Sequence, residues 1–288
     1  MNRRLRKILV RGVLIILVIL ASIYIVFNSS YAQTKITQAI GKYLGNKWNT
    51  TVSLDKIHLE PFQRLSIENL YIEDLHKDTL LFASEILINY DRINIRKMKF
   101  VLDELKLKGA FFSLKTYEGE EELNLSFIIN SFKGDDDQID TSASLPLRLS
   151  VMDLEIVRSH FLFQNQNKID SSYGMHYSDL DVMNINGLFS DVSMIGDSIN
   201  FTIESLNASE KCGVELKGIE TKGYINGKRF DLSPLHIVMN DSRIDADRLK
   251  FSYGEWGNFP DFISKVHMLG EFQLASVSMQ DIAYFAPA

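Results

Sequence analysis

Residues 100–107, FVLDELKL, contain the pattern that decides the fold. Apolar residues occupy the first, third, sixth and eighth positions, and Asp103 and Glu104 form a polar pair between them. Successive side chains of a β-strand point to opposite faces, so a second polar residue in the middle would turn the later apolar pair outward. A β-bulge or a tight bend at the polar pair returns all four apolar side chains to one face. The stretch therefore predicts a bent strand with one apolar face.

The same pattern recurs along the chain. Its eight occurrences are residues 52–59, 65–72, 81–88, 100–107, 149–156, 175–182, 201–208 and 244–251. Between Asp55 and Ser276 no segment of three turns has the 3.6-residue period of an amphipathic helix. The sequence therefore predicts a mainly β body. Bends repeated from strand to strand favour a curled, elongated antiparallel β-sheet, a groove or taco-like shape, over a flat sandwich.

The apolar rows of these strands need to be buried. Without covering helices, they can face a second sheet, as in a sandwich, or curl around an apolar ligand. A groove of this kind would take acyl chains out of water with a gain of about 0.8 kcal/mol per CH₂ group. The candidate groove-lining residues are Leu105, Leu107, Leu147, Leu149, Val151, Phe201, Ile203, Leu235 and Ile237.

Charge divides the chain into a basic head and an acidic body. The 288 residues have a net charge of −6, and 45% of them are hydrophobic, which excludes a disordered chain. Residues 1–54 contain eight Lys or Arg and no acid, so residues 55–288 carry 23 − 37 = −14. An acidic body does not attract phosphate, and we expect no nucleic-acid partner. The single cysteine, Cys212, excludes a disulfide framework.

The head predicts a single transmembrane helix. Residues 8–27 are apolar apart from a few interruptions, and twenty helical residues span about 30 Å, the thickness of a hydrocarbon core. A basic tip, residues 1–7, precedes them, and the positive-inside rule keeps it in the cytoplasm while the body is exported. The residues that set this topology are Arg3, Arg4, Arg6, Lys7 and Arg11.

A cleavable signal peptide is the alternative interpretation of the head. Ser30 and Ala32 provide small residues at positions −3 and −1 before Gln33. Residues 28–48 are predicted to hold a short juxtamembrane amphipathic helix over 34–44, with Thr34 as its cap and Gly45 as its stop. This basic helix can lie on the membrane, close off a structure there, or cover one end of the sheet.

The polar segment 133–144, KGDDDQIDTSAS, divides the body into a first β segment, 49–132, and a second, 145–288. Residues 118–122 are predicted to form a hairpin turn. Near the end, Ser278 and Asp281 have the spacing of a capping box, but too few residues follow for a helix that is stable alone. The second segment is therefore expected to continue beyond residue 288.

The sequence contains no motif for catalysis, metal binding or cofactor binding. Its six histidines are scattered singly, without an HExxH, GxSxG, Walker A or GxGxxG pattern. The acidic run 135–137 lacks the spaced ligands and the glycine of an EF-hand loop. We expect no enzyme, no cofactor and no metal. An enzyme would require a scattered His/Asp pair to converge in space.

The start of the chain resembles AsmA-like proteins, and within them the TamB branch of Bacteroidetes-type bacteria. The matching stretches are TVSLDKIHLEPF (51–62), LSIENLYIED (65–74) and DTLLFASEILI (78–88). The resemblance implies a single-pass inner-membrane protein, N-terminus cytoplasmic, with a β body in the periplasm. The implied role is outer-membrane biogenesis, either by moving phospholipids between membranes or by helping outer-membrane proteins insert.

The partners implied by this resemblance are inner-membrane lipids, phospholipid cargo and an outer-membrane assembly partner. The family contributes no catalytic residues. TamB-type members are several times longer than 288 residues, so the chain is expected to be an N-terminal portion. The alternative function is a secreted or membrane-anchored β-sandwich that binds protein or glycan partners, and a mature start at Gln33 would favour it.

Overall fold

A computed structural model of the chain describes residues 29–60, 64–94, 97, 99–131, 148–168, 174–255 and 265–285. The predicted tip and transmembrane helix, with their five basic topology residues, lie outside the described residues. So do the polar segment 133–144 and one predicted groove residue, Leu147. Within the described ranges, no helix is long and apolar enough to cross a membrane.

Strands dominate the described part of the chain. Its helices are α1 (Ser30–Trp48), α2 (Ser126–Ser131) and α3 (Met279–Phe285). Its strands are β1 (Val52–Ser53), β2 (Lys56–Glu60), β3 (Arg64–Glu73), β4 (Thr79–Asn94), β5 (Lys99–Thr116), β6 (Arg148–Asn165), β7 (Asp179–Ile195), β8 (Ser198–Glu210), β9 (Glu215–Asn226), β10 (Arg229–Met239), β11 (Ser242–Ser252) and β12 (His267–Ser276). The prediction of a mainly β body is confirmed.

The described strands form one open, twelve-stranded sheet. Its order is β1-β3-β4-β5-β6-β7-β8-β9-β10-β11-β12, with β2 also paired to β3. Neighbours are antiparallel except β5 and β6, which pair in parallel and join the two predicted β segments in a single sheet. Because every described strand belongs to this sheet, the described residues do not form the two packed sheets of the sandwich alternative.

One polar pair of the repeat lies at a bend. Between β3 and β4, Ile67 is opposite Ile86 and Leu70 is opposite Ala83, so the apolar positions are three residues apart on both strands. Asn69, between them, has a left-handed φ of 52°. Other bend residues with positive φ are Gly109, Arg158, Asn184 and Asp191. The predicted device, a bend at the polar pair that keeps apolar residues on one face, is confirmed at Asn69, whereas the other four residues lie outside the repeats and were not predicted.

Three local predictions were wrong. Residues 175–178 form a loop because the Met175 amide is hydrogen-bonded to the Tyr284 carbonyl of α3. The repeat 52–59 is divided between β1 and β2. Residues 118–122 do not make a hairpin, because β5 and β6 are parallel and the chain must return to the other end of the sheet.

The first helix is longer than the predicted 34–44. The Ser29 side chain accepts a hydrogen bond from the Ala32 amide and caps the helix one turn earlier than Thr34. The helix passes through Gly45 and ends at Trp48, with Asn49 left-handed at the C-cap. Thr34 and Gly45 are therefore not its ends.

The last helix forms although it has only seven residues. The Asp281 carboxylate, 2% exposed, accepts hydrogen bonds from the Ser242 hydroxyl and the Asp241 amide in the β10–β11 turn. Ser278 accepts a hydrogen bond from the Gln280 amide. The predicted helix start at Ser278 is confirmed, and these tertiary contacts support a helix that is too short to be stable alone.

Arg158 provides a test of the bends. Its left-handed φ of 47° crowds Cβ, so Arg158→Gly should raise the free energy of unfolding by about 1 kcal/mol, and Arg158→Val should lower it by about 1–2 kcal/mol. At the exposed Lys222, inside β9, the order should reverse, since Gly weakens a regular strand and Val favours it. Urea unfolding of the full chain in mild detergent measures both pairs. The same order at both positions would contradict the bend.

Candidate functional site

One face of the sheet carries rows of apolar side chains that run across the strands. Directly opposite residues of neighbouring strands project from the same face, so the registers define the rows. The row named here the central row crosses ten strands, β3 to β12. Its members are Leu65, Ile88, Leu105, Leu154, Phe189, Ile203, Thr221, Leu235, Ala246 and Phe272. Only Thr221 among them is polar.

A parallel row, the lower row, crosses nine strands, β4 to β12. Its members are Ile93, Phe100, Leu149, Met194, Ile199, Ile225, Phe230, Phe251 and Met268, all of them apolar. Strands in a sheet lie about 4.8 Å apart, so the nine intervals of the central row measure about 43 Å. The face that carries both rows is called the inner face, and the opposite one the outer face.

All eight described members of the predicted groove lining lie on the inner face. Val151, Ile203 and Leu235 are 1%, 8% and 0% exposed. The other five are partly buried: Leu105, Leu107, Leu149, Phe201 and Ile237. A single layer of strands thus buries some of these side chains almost completely and leaves others open to a ligand.

A glycine lets one aromatic ring lie across the inner face. Phe201 in β8 is directly opposite Gly223 in β9. A Cβ atom at residue 223 would lie 2.1 Å from Cζ of Phe201, so only glycine leaves room for the ring. The ring covers the neighbouring backbone, and the face stays apolar at a position that has no side chain.

The outer face carries the ion pairs of the strands. Lys108 pairs with Glu85 across β4 and β5, and the Arg248 guanidinium donates two hydrogen bonds to Asp231 across β10 and β11. These residues alternate along their strands with inner-face apolar residues. The sheet therefore has a charged face suited to water and an apolar face that needs an apolar neighbour.

Some His and acid side chains do converge, which the sequence did not reveal. His160 Nε2 lies 2.6 Å from Asp181 Oδ1, and His236 Nδ1 lies 2.8 Å from Asp245 Oδ1, both on the outer face. In each pair the two residues belong to neighbouring strands, so the pairing register of those strands brings them together. In the described residues no hydrogen bond joins either imidazole to a hydroxyl or thiol, as a nucleophile and its base require.

Cys212 lies in surroundings that suppress its reactivity. Burial, and then a hydrogen bond to Glu210, raise the pKa of its thiol above the ordinary value. A nucleophilic cysteine needs the opposite, a lowered pKa. The described residues also contain no group of three or more His, Cys, Asp or Glu side chains that could hold a metal ion.

A buried polar cluster fixes one end of the sheet near α2. Asp74, 1% exposed, accepts hydrogen bonds from Tyr117 Oη at 2.6 Å and from Asn124 Nδ2 at 2.9 Å. Burial, followed by the hydrogen bonds to Asp74 and Asp78, raises the pKa of Tyr117. Both carboxylate oxygens of Asp74 accept hydrogen bonds from neighbouring residues of the chain, and these bonds order the loop that leads into α2.

Comparison with known proteins does not assign a function to the inner face. No protein-family model matches the chain. No curated protein matches it either. The role of the inner face therefore follows from its geometry and from the sequence.

Three aspartates with basic partners predict how stability depends on pH. Hydrogen bonds from Lys115, Lys211 and Arg248 lower the pKa of Asp78, Asp179 and Asp231, respectively. Below the ordinary Asp pKa of about 3.9 the unfolded chain then binds more protons than the folded one. The stabilisation should be complete above about pH 5 and lost as pH falls through the lowered values.

Chemical unfolding of the full chain between pH 7 and pH 3 tests this prediction. Asp179→Asn removes one of these carboxylates, so the variant should be less stable at pH 7 and should approach the parent as pH falls. Stability of the parent that rises between pH 5 and pH 3 would contradict the assignment.

Proposed function

We propose that the chain is an inner-membrane-anchored periplasmic protein of outer-membrane biogenesis, whose sheet curls into an apolar groove that carries phospholipids between membranes. The lower row carries this proposal. All nine of its members are apolar and none of them is buried, so it forms a continuous apolar path that runs across the strands and is not confined to any one of them. A hydrophobic core needs no such continuity, whereas a path for acyl chains depends on it.

The dimensions of the path fit an acyl chain. The eight intervals of the lower row measure about 38 Å, which exceeds the length of a common phospholipid acyl chain, so a lipid could move along it without leaving apolar contact. Transfer of ten methylene groups from water to such a surface is favourable by about 8 kcal/mol. The lipid headgroup would remain at the open side in water, where no specific charged site is needed.

The bends support a curled sheet. A bend such as the one at Asn69 turns the strand while its apolar residues stay on the inner face, and the bends at Gly109 in β5 and Arg158 in β6 lie at matching registers. Repeated over many strands, they produce a trough with the inner face inside. The partial burial of Leu105, Leu107 and Ile237 agrees with a trough that is lined but not filled.

The membrane anchor is proposed from the sequence. Residues 8–27 would span the inner membrane, with the basic tip 1–7 in the cytoplasm and the acidic body in the periplasm. The order of these segments and the repeated strands support membership of the AsmA-like family, TamB branch. The proposed activity is transport without catalysis, so no residue is assigned a catalytic role.

A second candidate function, help in the assembly of outer-membrane proteins, is favoured by β12. In the described residues this strand pairs only with β11, so its other edge has unpaired backbone groups. Leu269, Phe272 and Leu274 are 47–50% exposed along it. An exposed apolar edge is suited to pairing with a strand of another protein.

Photo-crosslinking distinguishes the two faces. A benzophenone amino acid placed at Ile237, on the inner face, should crosslink to phospholipid in cells, because acyl chains would contact it. The matched control is Val238, which is apolar and 40% exposed but points to the outer face. It should give at least tenfold less lipid adduct. Mass spectrometry of the purified adducts measures both.

Equal lipid labelling at the two positions would overturn the groove, because it would show no preference between the faces. A protein adduct concentrated at β12 positions such as Leu274, with no lipid adduct at Ile237, would favour protein assembly as the function.

A further inference from the structure

The first helix packs on the sheet with its small and polar side. Gln33, Thr37 and Gly41, spaced four residues apart, are buried against the sheet edge, and Leu44 and Trp48 continue this side. A Cβ at residue 41 would lie 2.8 Å from the carbonyl oxygen of Val52, so glycine permits this close approach. The helix thus covers the β1 and β2 edge without using most of its aromatic residues.

The opposite side of α1 combines aromatic rings with positive charge. Tyr31 is 75% exposed and Tyr43 is 65% exposed. Lys35 and Lys42 are exposed on the same side, and the Lys35 ammonium lies 5.9 Å from the Tyr31 ring centroid. The helix contains no acidic residue, whereas residues 55–288 are strongly acidic. Tyrosine and lysine are the residues that favour the interface between lipid headgroups and water.

We propose that this side of α1 lies on the surface of a bilayer rich in anionic phospholipid and holds the edge of the sheet against the membrane. The inference rests on the proposed anchor at residues 8–27. Only two residues separate that segment from Ser30, and so short a connection spans at most about 10 Å. Charge decides the occupant. The exposed lysines of α1 attract anionic headgroups, whereas the acidic body, residues 55–288, repels them, so α1 is the side suited to an anionic membrane surface.

Spin labelling of the full chain in nanodiscs tests the location of α1. In a Cys212→Ser background, single cysteines replace Tyr43 on the proposed membrane side, Lys228 in an exposed turn as the matched water control, and Val18 in the predicted span. Nitroxide accessibility to oxygen and to a water-soluble nickel complex then gives the depth of each label. Nanodiscs of phosphatidylglycerol with phosphatidylcholine are compared with phosphatidylcholine alone.

The Tyr43 label should lie at headgroup depth in the anionic nanodiscs, while the Lys228 label stays in water. Replacing Lys35 and Lys42 by Gln should reduce the ratio of membrane-bound to unbound α1 about fivefold for each lysine, and less in phosphatidylcholine alone. Circular dichroism of the variants checks that the helix and sheet are retained.

The outcomes separate the inference from the proposed function. A Val18 label in hydrocarbon together with a Tyr43 label as exposed as Lys228 overturns the inference and leaves the anchor intact. A Val18 label in water contradicts the anchor. If the Tyr43 label still lies at headgroup depth in that case, the surface contact of α1 is supported independently of the span.

Discussion

The alternation of side chains along a strand is the constraint on which this structure depends. Each repeat places two polar residues between apolar pairs, and a regular strand would then divide its apolar residues between both faces. In the repeat 65–72 the left-handed Asn69 absorbs the additional residue, and left-handed residues outside the repeats, such as Arg158 and Asn184, bend other strands. Because neighbouring strands bend at matching registers, the hydrogen-bonded ladder survives and the apolar rows stay continuous.

This constraint produces a sheet with two different faces. The outer face satisfies its charges through cross-strand pairs such as Glu85 with Lys108 and Asp231 with Arg248. The inner face has no second sheet within the described residues, yet it buries Val151 and Leu235 almost completely. A layer of this kind gains most from an apolar ligand along its rows, and this is the physical basis of the proposed lipid groove.

The sequence was sufficient for the mainly β fold, for the bend at Asn69 and for the face on which the groove candidates lie. Period-2 patterning is local, so Leu105 and Leu107 could be assigned to one face before their neighbours were known. The parallel pairing of β5 with β6 was not predictable, because it depends on how the chain returns between residues 117 and 147. The contacts of His160 with Asp181 and the docking of Asp281 also depend on distant strands. Helix ends were misplaced because Ser29 and Thr34 are both acceptable caps.

Native mass spectrometry of the full chain, released from mild detergent, tests the central claim most directly. If the inner face is a lipid groove, the spectrum should contain the protein with one or more retained phospholipids, and substitution of the partly buried Leu105 and Leu149 by Glu should remove them. Protein free of phospholipid, in a preparation that retains its β circular dichroism, would contradict the account.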